Sequence, residues 1–124
     1  MGTALCVPAA ENKHTVLLVG TPLDSDIVTT VRRPGGVHPK LNDALSSNVE
    51  TIPFDALRSN HLGEADYIIL GVSSPGIAWV TDLLNRLMTV PRPLAFVTKG
   101  LDSAGSTVST YAQTLPPLIP IMSA

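Results

Sequence analysis

The stretch "ADYIILGVSSPGIAWVTDLLNRLM", from Ala65 to Met88, contains a strand, a turn and a helix in succession. Its first part is largely apolar, which is typical of a strand that is buried on both faces in a parallel sheet. The part after Pro75 predicts a helix, and Asp82 and Arg86 on its polar side lie four residues apart and can pair. The apolar stripe of this helix repeats at helical spacing and consists of Ile77, Val80, Leu83, Leu84, Leu87 and Met88.

Two further apolar runs have the same strand character, one on each side of this stretch. They are "HTVLLVG", from His14 to Gly20, and "PLAFVTKG", from Pro93 to Gly100. A helix is predicted from Asp24 to Arg33, with an acid at its start and basic residues at its end, where they complement the helix dipole. Alternating strands and helices predict an α/β fold, with a parallel sheet and helices on both faces.

Weaker signals complete the pattern along the chain. A short helix is expected from Thr3 to Ala10, with Pro8 near its first turn, where a missing N–H costs little. A short strand is expected at "VETIPF" and a short helix at Asp55 to His61, ended by Gly63. Another helix is expected at Ser106 to Leu115, and "LIPIMSA" begins a further strand candidate.

Length and composition limit the classes of protein to consider. The 124 residues suit one domain, residues 1–124, and 44% of them are hydrophobic while only 15% are charged. The net charge of −2 offers no basic surface for nucleic acid. Cys6 alone forms no internal disulfide and is interpreted as a small buried helix residue. Because no run is long enough to span a membrane and no signal peptide is visible, we expect a cytoplasmic protein without a membrane partner.

Small or hydrogen-bonding residues end all three strong strands. These are Gly20, then Ser73 and Ser74, then Lys99 with Gly100. Ligands of open parallel sheets bind beyond the carboxyl ends of the strands, and small residues there let backbone approach the ligand closely. We therefore predict that Gly20, Ser73 and Lys99 lie at a common edge of the sheet and bind a nucleotide.

Each of these residues also has a purely structural interpretation. Lys99 can simply mark the point where its strand leaves for solvent. Ser73 or Ser74, placed before a helix, can serve as its N-cap. Both interpretations remain open at this point.

A complete Gly-x-Gly-x-x-Gly pattern is absent from the sequence. The chain begins instead with "MGTALC", in which Gly2 precedes helix-forming residues directly, as the third glycine of that pattern does. We therefore expect the first strand and the first two glycines to lie upstream of Met1. In the strand order 3-2-1-4-5-6 the first strand is central, so the fold predicted for this chain is an incomplete Rossmann-like sheet.

The order of the motifs resembles NAD-dependent glycerol-3-phosphate dehydrogenases over nearly the whole chain. "MGTAL" is followed by "HTVLLVGTPLD", an arginine with "HPKL", "ADYIILGVSSPGIAWV" and "LAFVTKGLD". The resemblance implies an N-terminal Rossmann domain that binds NAD, and interconversion of sn-glycerol 3-phosphate and dihydroxyacetone phosphate by hydride transfer. It also implies a small phosphate-bearing substrate, a place in glycerol-3-phosphate metabolism and phospholipid biosynthesis, and allows a homodimer of the full-length enzyme.

The resemblance also assigns roles to individual residues. Gly2 becomes the last glycine of the pyrophosphate loop, and Val72, Ser73 and Ser74 flank the nicotinamide half of the cofactor. Lys99 contacts cofactor and substrate and is the candidate catalytic residue. An ammonium there can attract a phosphate or polarise a carbonyl oxygen as charge develops.

The sequence departs from this family pattern at three places. The upstream glycines are absent, and the helical domain that carries the principal catalytic lysine would follow Ala124. The chain is therefore expected to be an internal fragment, inactive on its own. The segment Thr21–Leu23, with Asp24 beyond it, has no adjacent cation to bind a 2′-phosphate, which favours NAD over NADP.

Other polar residues allow two interpretations each. "HPKL", which begins at His38, can bind phosphate or can be a loop that packs beside the sheet. Asp24 and Asp26 can bind a ribose hydroxyl or cap a helix. His14 and His61 have no second ligand at metal-binding spacing, so no metal site is predicted.

Two functions outside this enzyme also remain open. One is a non-catalytic nucleotide-binding or interaction module of Rossmann type that has lost its phosphate loop. The other is a related Rossmann dehydrogenase with a different substrate. A stable chain that never turns over would indicate the module, whereas only the substrate separates the two dehydrogenases.

Overall fold

The fold was determined from a computed structural model that describes residues 2–99 and the backbone of residues 102–104 and 107–109. The chain divides into two compact units, Met1–Leu57 and Arg58–Ala124. Each unit contains one parallel pair of strands together with helices, so the protein is an α/β protein, as predicted.

The first unit begins with a helix that leads into a strand, and then repeats this pattern. Two short 3-10 turns, Pro22–Asp24 and Phe54–Ala56, follow its two longer strands. The elements are α1 (Gly2–Glu11), β1 (Val16–Gly20), α2 (Ser25–Arg32), β2 (Val37–His38), β3 (Asp43–Ala44) and β4 (Val49–Pro53).

Strands β1 and β4 pair in parallel along their full lengths, from Val16 opposite Val49 to Gly20 opposite Pro53. Helix α1 packs against β1, and α2 packs against both strands. The strand residues of β1 before Gly20 are half-buried, which differs from the predicted burial on both faces. Among the described residues β1 has a partner on one side only, and this exposes part of its surface.

Asn48 connects the end of α1 to the start of β4. Its side-chain amide donates hydrogen bonds to the carbonyl oxygens of Ala10 (3.0 Å) and His14 (2.8 Å). Ala10 lies in the last turn of α1 and His14 lies just before β1, so one side chain satisfies a carbonyl at the end of the helix and another ahead of the strand. Cys6 is buried in α1, as predicted, and this burial raises the pKa of its thiol.

The second unit has the same alternation of helix and strand. Its parallel pair is formed by two short strands, and an antiparallel hairpin follows. The elements are α3 (Ser59–Glu64), β5 (Ile68–Leu70), α4 (Gly76–Leu87), β6 (Leu94–Phe96), β7 (Asp102–Ala104) and β8 (Thr107–Ser109).

Helix α4 confirms the longest helix predicted from the sequence. Its apolar stripe is buried at Ile77, Val80, Leu83 and Leu84. Its predicted polar pair also forms, because Arg86 Nε lies 3.4 Å from a carboxylate oxygen of Asp82.

Three of the weaker predictions are wrong. Pro8 lies inside α1 and not in its first turn, and Gly63 lies within α3 and does not end it. Residues 107–109 form a strand where a helix from Ser106 was expected. A three-residue strand is too short for sequence periodicity to separate from a helical turn. The rest of that predicted helix and the segment "LIPIMSA" lie outside the described residues.

The two parallel pairs agree with the doubly wound order 3-2-1-4-5-6. In that order strands 2 and 3 are neighbours, as are strands 4 and 5. Each pair, β1 with β4 and β5 with β6, is consistent with one such neighbouring pair in a partial Rossmann-like sheet. Within the described part of the chain, no helix combines the length and apolar character needed to cross a bilayer.

Candidate functional site

The candidate site is built from the two loops that leave the parallel strands β5 and β6. The strands pair from Ile68 opposite Leu94 to Leu70 opposite Phe96. The backbone N–H of Val97 then donates to the carbonyl oxygen of Leu70 at 3.1 Å, which extends the pairing by one residue. Both loops therefore leave the sheet at the same edge, as expected for parallel strands.

Side-chain hydroxyls join the two loops beyond the last backbone hydrogen bond of the sheet. The Thr98 hydroxyl donates to the carbonyl oxygen of Val72 at 2.7 Å. The Ser74 hydroxyl donates in the opposite direction, to the carbonyl oxygen of Lys99 at 2.9 Å. A hydroxyl carries one proton, so each of these oxygens can meet a ligand only as an acceptor.

Helix α4 starts immediately beyond the loop after β5. The first helical N–H groups, those of Gly76 and Ile77, donate to the carbonyl oxygens of Ser73 (2.8 Å) and Ser74 (3.2 Å). Pro75 occupies the N-cap position, and no side chain caps the helix. The N-cap interpretation of the serine hydroxyls is therefore wrong, because backbone carbonyls fill that role and Ser74 bonds to Lys99.

Because Gly76 has no side chain, the start of α4 packs closely against this loop. A Cβ there would lie 3.1 Å from Cβ of Val72, which is tighter than ordinary van der Waals contact. Val72 is half-buried in the resulting corner, as is Ser74, whereas Ser73 is exposed. The segment predicted to flank the nicotinamide thus has a fixed backbone and one exposed hydroxyl group.

The loops after β5 and β6 form a rim that consists of Val72–Ser74 and Thr98–Lys99. The side chain of Lys99 is exposed there. Within residues 2–99, no carboxylate lies within ion-pair distance of its ammonium group. An ammonium with no carboxylate partner can attract a phosphate or stabilise a developing oxyanion. The structure thus brings Val72, Ser74 and Lys99 together, and their role in binding cofactor or substrate remains a prediction.

Gly20, the predicted residue at the end of β1, lies in the first unit and is buried. A Cβ at this position would lie 2.2 Å from Cγ2 of Val28 in α2. Close packing of strand and helix therefore requires a glycine here, whether or not a cofactor binds. Its role in cofactor binding remains a prediction.

Gly2, the other predicted glycine of the site, is the first residue of α1. A Cβ built there would have no atom within 4 Å among its described surroundings. Packing within the described residues therefore does not explain a glycine at this position. The proposed place of Gly2 in a pyrophosphate loop remains a prediction too.

The turn after β1 is held by a reciprocal set of hydrogen bonds. Asp24 Oδ2 accepts from the backbone N–H of Thr21 (2.9 Å) and from its hydroxyl (2.6 Å), and the same hydroxyl accepts from the N–H of Leu23 (3.3 Å). This arrangement is a capping box, with Thr21 as the N-cap. Asp24 therefore closes the 3-10 turn, whereas at the N-cap of α2 its side chain makes no capping hydrogen bond.

The "HPKL" segment forms a loop around His38, which is 4% exposed. The Nδ1 atom of His38 accepts hydrogen bonds from the backbone N–H groups of Lys40 and Leu41, both at 3.2 Å. His38 belongs to β2, which packs against α2. The segment therefore forms a loop with His38 as its buried centre, packed against α2, and a role in binding phosphate remains a prediction.

A cavity of about 420 Å³ lies in the first unit, away from the strand ends. It is lined by the end of α2, including Arg32 and Arg33, and by the first half of β4, including Glu50. Ligands of parallel sheets bind at the carboxyl ends of the strands, and this cavity lies near the amino end of β4. In the described residues, no group of three or more His, Cys, Asp or Glu side chains could hold a metal ion.

The reasoning from sequence missed two hydrogen-bonded connections, the one made by the hydroxyl of Thr98 and the capping box between Thr21 and Asp24. Thr98 is the penultimate residue of the apolar run "LAFVTK", and its polar hydroxyl in that position was the available signal. Thr21 and Asp24 match the capping-box spacing, in which Ser or Thr precedes an acid by three residues. This spacing would have identified the pairing of Thr21 with Asp24. No local spacing links Thr98 to its partner Val72, which lies 26 residues away.

Comparison with known proteins supports the family that the motifs indicate. No family model matches the chain. Over 115 residues it is 30% identical to the NADP(+)-dependent glycerol-3-phosphate dehydrogenase of Archaeoglobus fulgidus. The chain is similar to a dehydrogenase. The match covers 91% of this chain and 32% of the relative, so the chain spans about a third of the length of that enzyme.

Proposed function

We propose that this chain is the nicotinamide-dinucleotide-binding part of a dehydrogenase that interconverts sn-glycerol 3-phosphate and dihydroxyacetone phosphate. The observation that carries the proposal is the rim in the second unit. There the backbone of Lys99, whose side chain is exposed, is held beside Val72–Ser74 by two hydroxyl-to-carbonyl hydrogen bonds. The similarity to an archaeal glycerol-3-phosphate dehydrogenase supports the choice of reaction.

The residues of this rim suit the reactive end of such a cofactor. Ser73 and Ser74 are small, and their loop lies directly at the start of α4, so a flat ring can approach the backbone closely. Among residues 2–99 only Gly2 matches the glycine pattern that cradles the pyrophosphate. Residues 1–124 are therefore proposed as part of the cofactor domain and not as the whole of it.

The proposed chemistry is the transfer of one hydride and one proton. A reduced nicotinamide held beside Val72–Ser74 would supply the hydride for the carbonyl carbon of dihydroxyacetone phosphate, and a proton from solvent would complete the alcohol. Lys99 stabilises negative charge at that oxygen or binds the substrate phosphate. Either role requires the ammonium to stay at the rim, where the structure exposes it.

The decisive experiment is an assay of the full reading frame that encodes this chain. NADH oxidation is measured with dihydroxyacetone phosphate for the parent protein and for the Lys99→Ala variant. We expect kcat/KM to fall at least tenfold in the variant, which corresponds to about 1.4 kcal/mol of transition-state stabilisation. The matched control is Lys40→Ala, another exposed lysine, whose kcat/KM should stay within about twofold of the parent.

Each part of the proposal has its own contrary result. A loss of less than tenfold in Lys99→Ala would remove Lys99 from the reaction. A large loss of kcat/KM in Lys40→Ala would indicate that the "HPKL" loop binds phosphate. A parent protein that binds NADH without turning over any 2-oxo phosphate would be a nucleotide-binding module and not an enzyme.

For the cofactor, we propose NAD in preference to NADP. The turn after β1 is where the ribose 2′ position is read in this fold. That turn holds Asp24, and the sequence has no lysine or arginine from Gly20 to Val31. A 2′-phosphate would therefore meet negative charge without a cation. The archaeal relative is named as NADP(+)-dependent, so the proposed preference for NAD would distinguish this chain from that relative.

The cofactor choice is tested by measuring the Kd of NADH and of NADPH on the same full-length protein. We expect NADH to bind at least tenfold more tightly. Leu23→Arg places a cation in the turn at a side chain that is 92% exposed, so the fold tolerates it. The variant should gain affinity for NADPH and keep its affinity for NADH. Tighter binding of NADPH by the parent would refute the choice of NAD.

A further inference from the structure

We propose that Thr98 is a positioning residue that sets the location of Lys99 through the carbonyl group of Val72. Its hydroxyl is the group that continues the connection between the two loops after the last backbone hydrogen bond. The importance of this position for catalysis rests on the proposed function. The geometric part of the inference rests on the contacts alone.

The pairing of the two strands ends just before the site. The last backbone hydrogen bond between them joins Val97 to Leu70. Beyond it, within residues 2–99, no backbone group of one loop donates to the other loop. Without a further connection, no backbone hydrogen bond within these residues would hold the loop that carries Lys99 against Val72–Ser74.

Two side chains supply that connection in opposite directions. Thr98 donates from the Lys99 loop to Val72, and Ser74 donates from the other loop to Lys99. The backbone of Lys99 is thus held on both sides, by its preceding residue and by its own carbonyl oxygen. Thr98 is half-buried, so its hydrogen bond is shielded from competing water more than an exposed one.

Thr98 and Lys99 therefore have different roles at the rim, since Thr98 positions the backbone and Lys99 supplies the ammonium. With its backbone fixed, the Lys99 ammonium can move only through its own side-chain torsions. The bond that fixes it ends on Val72, in the segment proposed to flank the nicotinamide. Thr98 therefore couples the position of the lysine to the position of the cofactor without touching either reacting group.

The test compares two substitutions at Thr98 with a matched control. Thr98→Val removes the hydroxyl and keeps the branched shape, whereas Thr98→Ser keeps the hydroxyl. The control is Thr81→Val, since Thr81 is also half-buried and its hydroxyl donates to a backbone carbonyl, that of Ile77, at 2.8 Å. That bond lies inside α4, so its loss should not affect the rim.

The first measurement does not depend on activity. Reductive ¹³C-methylation of this chain labels Lys13, Lys40, Lys99 and the α-amino group, and the resonance that is lost in Lys99→Arg is assigned to Lys99. Thr98→Val should shift or broaden the Lys99 resonance while those of Lys13 and Lys40 stay in place. Thr98→Ser should restore it, and Thr81→Val should leave it unchanged. An unchanged Lys99 resonance in Thr98→Val overturns the inference.

The second measurement is the kinetics of the full-length protein. Thr98→Val should lower kcat/KM for dihydroxyacetone phosphate about tenfold, mainly through kcat, while its melting temperature falls no further than that of Thr81→Val. Thr98→Ser should recover most of the loss. Equal kinetics for Thr98→Val and Thr81→Val would refute the coupling to catalysis.

The two measurements separate the two proposals. A parent protein without turnover refutes the proposed reaction, and the Lys99 resonance still decides whether Thr98 positions the lysine. Should Thr98→Val not fold, Ser74→Ala removes the reciprocal bond to Lys99 and must give the same change in that resonance. An unchanged resonance in that variant would overturn the inference as well.

Discussion

The turn after β1 and the rim after β5 and β6 use the same polar chemistry over different sequence distances. In the turn, Thr21 and Asp24 satisfy each other across three residues. At the rim, Ser74 and Thr98 reach carbonyl groups that lie 25 and 26 residues away. The turn therefore organises itself locally, whereas the rim exists only when β5 and β6 have paired.

This difference separates a structural device from a candidate site. A local capping box stabilises one helix start and can form whenever the turn forms. Hydrogen bonds between distant loops order both loops at once and bring their side chains together. The residues proposed for chemistry are found where the long-range bonds are, and this matches the general need of a site for groups from several elements.

The largest effect is expected at Gly20, where strand and helix approach most closely. Gly20→Ala should destabilise the chain by about 2–3 kcal/mol, because the new Cβ would overlap Cγ2 of Val28. Urea unfolding of the chain measures this loss. It would show that packing, as well as any ligand, demands a glycine at the end of β1.

Two further variants sharpen that result. Gly20→Ala combined with Val28→Ala removes the overlapping methyl, so the double variant should be more stable than the sum of the single losses predicts. Gly2→Ala has no neighbour within 4 Å and should change the free energy of unfolding by less than about 0.5 kcal/mol. An equally stable Gly20→Ala variant would contradict the close approach of α2.

A smaller effect is expected from the capping box itself. Asp24→Ala removes both hydrogen bonds from Thr21 and should cost about 1 kcal/mol in the free energy of unfolding. Asp26→Ala is the control, because Asp26 carries the same charge in the first turn of α2 and is exposed. Its loss should stay below about 0.5 kcal/mol. Equal losses for both variants would mean that charge near the helix start matters and the hydrogen bonds do not.

Local patterns predicted the larger elements well. The apolar stripe from Ile77 to Leu84 predicted α4 because its helical periodicity extends over several turns, and the continuous aliphatic run before Gly20 predicted β1 because it is short and rich in β-branched residues. Short elements were less predictable. Residues 107–109 pair as a strand with residues 102–104, and that pairing depends on a neighbour outside the segment itself.

The candidate site was predictable in its residues but not in its connections. Ser73, Ser74 and Lys99 were expected at strand ends because small and polar residues there interrupt apolar runs, whereas Val72 came only from the resemblance. The hydroxyl of Ser74 was assigned to a helix cap or a ligand, and the structure gives it to the Lys99 carbonyl. A hydroxyl can reach several acceptors, and only the packed chain decides which one is nearest.

The sequence by itself determined the α/β alternation, the strand ends and the lysine that follows β6, because these depend on periodicity and on the order of residue types. Only the tertiary structure decided that Thr98 bonds to Val72, that Ser74 bonds to Lys99 and that Gly20 must make room for Val28. These contacts join residues that are near in space and distant or unpatterned in sequence, so no local rule contains them. Their positions follow from the pairing register and from how closely the elements pack.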